Sequence, residues 1–357
     1  MVFAPSSLIL TNCYLPLSEA LDLQPTYREQ TAGMKKNNEI LDKKSVVAGK
    51  SKEMAQLGLV LPDDVKLSLN KIFSDCNFAL SRQISIFPNT HEETLDQLFV
   101  THLAQMQGPI KFDSNWIMRL DAHFIGGGRH YRNWEVADVG LMVVFRKKGR
   151  IVRSKLVFLQ SKRLHASTQK FKGIDPYYRL GMGRLLVTDD EHQELIERKT
   201  ITFLESCRYK AMRKGDDQHN AMEEFSKLHD IDIYYLFYNP VTIPWQIDSP
   251  VEQPPVFEHN PVGCRIIPRE IMNQKISDKA ENYSPTYADA RVATKENFGG
   301  EDVDAGWRLE YFVNELFLSC KVGKIDDSPN FEVLLDLMGK KSSPISSAIS
   351  ISFDIDE

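Results

Sequence analysis

The 357-residue chain is 42% hydrophobic and 26% charged, with a formal net charge of −5. That composition supports a buried core and excludes a collagen-like or wholly disordered chain, while the length suits one large domain or two ordinary ones. No global basicity announces a nucleic-acid partner.

Five cysteines, Cys13, Cys76, Cys207, Cys264 and Cys320, lie far apart and form no C-x-x-C pair. That usage fits a reduced, cytoplasmic protein. No apolar run reaches the length of a membrane span, and the first residues lack the basic start and apolar centre of a signal peptide. A cytoplasmic protein with no membrane partner is expected.

The lead-in to about residue 65 is mixed and locally basic, and is expected to be irregular or partly helical. Pro62-Asp63-Asp64 starts a helix over 63–80, with apolar Val65, Leu69, Ile72 and Phe73. Pro88-Asn89-Thr90 caps a second over 91–107, where Leu95, Leu98, Phe99, Leu103 and Met106 recur at spacings of three and four. Residues 116–124 alternate as a strand, and Gly126-Gly127-Gly128 closes it as a loop. A second strand over 136–145 turns at Lys147-Lys148-Gly149-Arg150 into a third over 151–161.

Farther along, 189–198 and 216–229 read as helices, and 201–212 stays open. The aromatic run 231–238 reads as a buried strand ending at Asn239-Pro240. Four prolines in 250–261 mark a loop or linker. Residues 308–320 form a strongly amphipathic helix, with a stripe that serves the core or docks a partner subunit. Another helix spans 331–338, and the Ser-rich end, 342–357, is expected as a mobile tail or a short strand. The implied divisions are an N-terminal extension over 1–87, a core over 88–245, a loop-rich linker over 246–302, and C-terminal helices and tail over 303–357.

Chemistry concentrates in the second and third strands. Gln160 and Lys162 are two residues apart and share a strand face. A hairpin turning at Lys148-Gly149 returns them beside Asp138, while Ser161 points the other way. Phosphodiester cleavage needs oxygen ligands for a hard cation and a positive group near the attacking water or phosphate. Asp138 offers a carboxylate, Gln160 a side-chain carbonyl and Ser161 a backbone carbonyl to Mg²⁺ (or Mn²⁺). Lys162 orients or helps deprotonate the water and offsets charge on phosphorus. Either Glu135 or Glu93 supplies the second carboxylate.

Residues 146–172 hold ten Lys or Arg and no Asp or Glu. Lys147, Lys148, Arg150, Arg163, Lys170 and Lys172 are candidate nucleic-acid contacts in a phosphate-tracking surface beside the site. The plainer alternative is a solvated hairpin whose lysines discourage edge pairing.

Asp138 followed by Gln160-Ser161-Lys162, behind a helix and a strand, resembles the PD-(D/E)xK superfamily of restriction-endonuclease-like nucleases over roughly residues 88–240. The resemblance implies an α/β fold with an αβββαβ core. A central mixed sheet would be flanked by helices, with helical additions at both termini. It implies Mg²⁺-dependent endonuclease cleavage of double-stranded DNA. Within the superfamily the chain looks most like endonuclease domains of bacterial antiphage effectors of the Lamassu and CBASS types. That narrower likeness implies a homo-oligomer or a subunit of a hetero-complex, with an SMC-type ATPase among its partners. The sequence departs from the family in having Ala137 before Asp138 and the neutral Gln160 in place of the second acid. The alternative reading is a catalytically weak or inactive nucleic-acid-binding or assembly subunit.

Other local signals carry less. Ala48-Gly49-Lys50-Ser51 lacks the first glycine of a P-loop, because Lys44 stands there. His165, and the group Tyr177, Tyr178 and Arg179, read as surface and packing residues.

Overall fold

The computed structural model describes residues 59–106, 108–124, 136–174, 197–249, 251, 253–295, 306–326 and 345–355. All of them fall within one compact unit. In chain order the elements are α1 (Asp63–Ile86), α2 (Glu92–Ala104), β1 (Ile110–Lys111), β2 (Trp116–Phe124), β3 (Ala137–Lys147), β4 (Arg150–Arg163), β5 (Ser167–Ile174) and β6 (Glu197–Phe203). Then follow α3 (Asp217–His229), β7 (Ile233–Tyr238), β8 (Trp245–Ser249), β9 (Arg265–Pro268), α4 (Arg269–Lys275), α5 (Tyr287–Lys295) and β10 (Trp307–Arg308). The chain closes with α6 (Leu309–Tyr311), which runs on as a π-helical turn over Phe312–Phe317, then β11 (Lys324–Asp326) and β12 (Ile345–Ile355). The protein is mixed α/β, with a central mixed sheet and a few helices.

The β3–β4 hairpin follows from its turn. Lys148 and Gly149 both take positive φ, 52° and 74°. Two left-handed residues make the tight turn whose twist matches paired strands. It sets the antiparallel register Val139↔Leu159 through Phe145↔Arg153. After β4 the chain passes through β5, β6 and α3 before β7 pairs parallel to β4, with Gln160 beside Tyr235 and Lys162 beside Phe237. A parallel return needs such a crossover. Asp216 starts α3 by accepting the His219 N–H at 2.8 Å, and Asp230 ends it in the left-handed region at φ 52°.

Among the described residues the main sheet runs β1-β2-β12-β3-β4-β7-β9-β10, with β11 beside part of β4; β5, β6 and β8 form a second, antiparallel sheet. The position of β12 differs most from expectation. The last residues form an eleven-residue strand, antiparallel to β2 and parallel to β3. Ile349, Ile351 and Phe353 alternate onto one face and are fully buried. The Phe353 ring lies 5.3 Å from that of Phe145 and 5.6 Å from that of Trp116. Each such side chain contributes about 2 kcal/mol by leaving water.

Other expectations shift as well. Helix α1 runs on to Ile86. The expected helix over 189–198 lies mostly outside the described residues, and its last two positions open β6. Residues 331–338 also lie outside them. The apolar residues of 309–317 pack within this chain: Leu309, Phe312, Val313 and Phe317 are fully buried, and Phe312 meets Tyr234 edge-on at 5.0 Å. Cys76, Cys207, Cys264 and Cys320 are buried. No described helix is long and apolar enough to cross a membrane.

Candidate active site at the ends of β3, β4 and β7

The start of β3 and the ends of β4 and β7 meet the first two turns of α2. The hairpin register sets Asp138 opposite Gln160 on one sheet face. Gln160 donates an amide N–H to Asp138 Oδ2, and the Ser161 backbone N–H reaches the same oxygen at 2.7 Å. Among the described residues, both of these hydrogen bonds to the Asp138 carboxylate reach Oδ2. Gln160 Oε1 is buried and has no hydrogen-bond partner among the described residues. A buried carbonyl oxygen without a donor costs stability, so its persistence at a cluster of acids points to a role.

Helix α2 supplies two acids one turn apart. Glu92 accepts from Lys162 Nζ at 3.2 Å and from the Arg163 N–H at 2.8 Å. Asp96 Oδ1 accepts from Ser161 Oγ at 2.5 Å and from the Tyr238 hydroxyl at 2.7 Å. The i, i+4 spacing puts both acids on one helix face. The α2 face thereby clamps the end of β4 from residue 161 to 163. Ser347 Oγ of β12 donates to the Asp138 carbonyl at 2.9 Å, fixing the backbone from the other side.

Three carboxylates, Glu92, Asp96 and Asp138, thus face the single ammonium of Lys162. Burial, reinforced by Asp96 and Glu92, pushes the Asp138 carboxyl well above its usual range, against the pull of Lys162. Burial also raises Asp96 to about 7, although Ser161 and Tyr238 donate to it. Without another cation, the cluster retains protons that isolated carboxylates would release.

Of the site residues read from sequence, Asp138, Gln160, Ser161 and Lys162 come together. Glu93 is exposed on α2; its neighbour Glu92 takes the inward position. Glu135 lies outside the described residues. Among the described residues no three His, Cys, Asp or Glu side chains gather as a metal-holding group. The oxygen donors side by side there are instead the Asp138 carboxylate and the Gln160 carbonyl. That all-oxygen pair fits a hard divalent ion that keeps several waters.

The basic run 146–172 does not form one surface. Lys147, Lys148 and Arg150 sit at the hairpin tip, ten residues along β3 from Asp138, about 30 Å away by strand rise. Arg153 and Lys155 are buried, and Lys155 Nζ donates to the Phe317 carbonyl. Arg163 donates to the Pro88 carbonyl at 2.6 Å, pinning the approach to α2. Lys170 is exposed on β5 of the second sheet. The side chain of Lys172 lies outside the described residues.

Sequence reasoning missed Glu92, Asp96 and Tyr238. One signal was present: Asp96 stands between Leu95 and Phe99 on the apolar stripe of α2, where an acid needs a buried partner. Comparison with protein-family models, curated proteins and solved structures returns no match.

Proposed function

We propose that this chain is a metal-dependent DNA endonuclease with a restriction-endonuclease-like core. The observation that carries the reading is the buried, unpartnered Gln160 Oε1 beside Asp138, with Lys162 two residues farther along the same strand face. The order α2, β2, β3, β4, α3, β7 supports it, as does the parallel β4–β7 pair. The strand β12 between β2 and β3 is an elaboration on that plan.

Asp138 and Gln160 would hold the ion, with the Ser161 carbonyl as a further donor. A bound Mg²⁺ or Mn²⁺ supplies charge to the phosphate and acidifies a water. The protein does the rest. Glu92 holds the Lys162 ammonium near the ion-binding pair, where it offsets charge developing on phosphorus. Asp96, through Ser161 and Tyr238, holds the end of β4 in place. The role as an effector subunit of a prokaryotic antiphage complex, with an SMC-type ATPase partner, comes from the family resemblance alone.

One observation favours the alternative of a weakly active binding or assembly subunit. The Gln160 amide already occupies one Asp138 oxygen, and Lys162 is committed to Glu92. Calorimetric titration with Mn²⁺ separates the two readings. Binding lost in Asp138→Ala supports the nuclease; absence of heat at millimolar metal supports the alternative.

A further inference from the structure

We infer that the exposed cations Arg208, Lys210 and Arg213 form a shelf that docks a phosphodiester backbone next to the candidate site. The proposal rests on the phosphodiesterase reading and names the surface that presents its substrate.

The segment alternates inward and outward. Cys207, Tyr209 and Met212 are buried, while Arg208, Lys210 and Arg213 are exposed. Its inward side chains tie it to the strands that carry the site. The Tyr209 ring lies 4.1 Å from that of Phe237, the register partner of Lys162. The Tyr209 hydroxyl donates to Asn239 Oδ1 at 2.7 Å. The His165 N–H donates to the Arg208 carbonyl at 3.0 Å. His165 follows Lys162 by three residues, so the shelf begins about 10 Å from the site, a span of roughly three phosphates along one strand.

The outward charge is available. Lys210 and Arg213 make no ion pair among the described residues. Arg208 is braced, with one guanidinium nitrogen on the Ser284 carbonyl at 2.5 Å and its plane over the Tyr283 ring at 4.9 Å. A braced Arg loses little freedom on binding and keeps further donors. Of the acids three residues from either end of the segment, Glu205 is paired with Arg291 and Asp216 caps α3 by accepting the His219 N–H. Burial, with Arg163 and Lys210 adding positive potential, holds His165 near 4, so it stays neutral at neutral pH. The hairpin tip, by contrast, is at the far end of β3.

Fluorescence anisotropy with a labelled DNA duplex, in EDTA, tests this on the full-length protein. One variant carries Lys210→Glu and Arg213→Glu; the control carries Lys148→Glu and Arg150→Glu. All four positions are exposed, and unchanged melting confirms that each variant folds. The shelf variant should bind at least about tenfold more weakly at moderate salt, with a salt slope shallower by about 2. The hairpin control should stay within about twofold of wild type. A parallel arm with single-stranded RNA tells which backbone is preferred. Equal weakening in both variants, unchanged binding in the shelf variant, or no binding by wild type overturns the inference. Because the assay contains no metal, a protein that binds through the shelf and never cuts overturns only the nuclease reading. Cleavage that is indifferent to the shelf charges overturns only the shelf.

Discussion

Gln160 lies opposite Asp138 across the β3–β4 pair, gives it an amide hydrogen, and keeps its own carbonyl oxygen buried and unpartnered. In the proposed nuclease reading, a neutral residue thus stands where a second carboxylate would bind the ion more tightly. The exchange Gln160→Glu should raise Mn²⁺ affinity by about tenfold or more, since a carboxylate replaces a neutral donor. In EDTA the same variant should melt lower, because two carboxylates then face each other. Calorimetry and thermal melts with and without metal check both effects. Unchanged affinity would place the ion elsewhere.

The Lys162–Glu92 pair is largely sheltered, with side-chain exposures of 4% and 18%. Lys162→Ala removes the partner of an acid that the Arg163 N–H only partly satisfies. We expect a loss of about 1–3 kcal/mol, less than for a fully buried pair. Adding Glu92→Gln should recover part of it. Urea unfolding of the two single variants and the double variant gives the coupling, and strict additivity contradicts the pairing.

The acid cluster also makes stability depend on pH. Asp96 is raised to about 7, so the folded chain holds its proton more tightly than the unfolded chain. Between about pH 4 and 7 the folded state binds more protons, and stability falls as pH rises through that window. Asp96→Asn stays neutral and can still accept from Ser161 and Tyr238. Its stability relative to wild type should therefore climb across the window, by an amount on the order of 3 kcal/mol. A flat difference curve means that Asp96 ionises normally in the fold.

Strand β12 is central, so removing residues 345–357 should abolish folding rather than trim a tail. The milder Ile351→Ala should cost about 3 kcal/mol, because Ile351 is fully buried between β2 and β3. Circular dichroism of the truncation and denaturant melts of the point variant are the measurements. A cooperative, native-like truncation would contradict the sheet order.

The hairpin and the juxtaposition of its three candidate residues were legible because turn chemistry and strand period are local. Lys148-Gly149 sets the turn, and the period of two puts Gln160 and Lys162 on one face. Strand β7 was legible from its unbroken apolar run, rich in aromatic residues. By contrast, Ser-Ile alternation near the C-terminus carries no sign of which strands it joins, and β12 pairs with residues more than two hundred positions earlier. The basic run misled for a related reason. Composition counts Arg153 and Lys155 as surface charge, whereas both are buried and Lys155 reaches the Phe317 carbonyl at the end of the π-helical turn. That Glu92 and not the expected Glu93 faces inward follows from the rotation of α2, which the packing of Leu95, Phe99 and Leu103 sets.

The most direct test of the central claim is cleavage of supercoiled plasmid by the purified protein with Mg²⁺ or Mn²⁺, beside Asp138→Ala and Lys162→Ala. The account predicts metal-dependent nicking or degradation that EDTA stops and both substitutions abolish. Cleavage that persists in both variants, or a wild-type protein that leaves the plasmid intact with either metal, contradicts it.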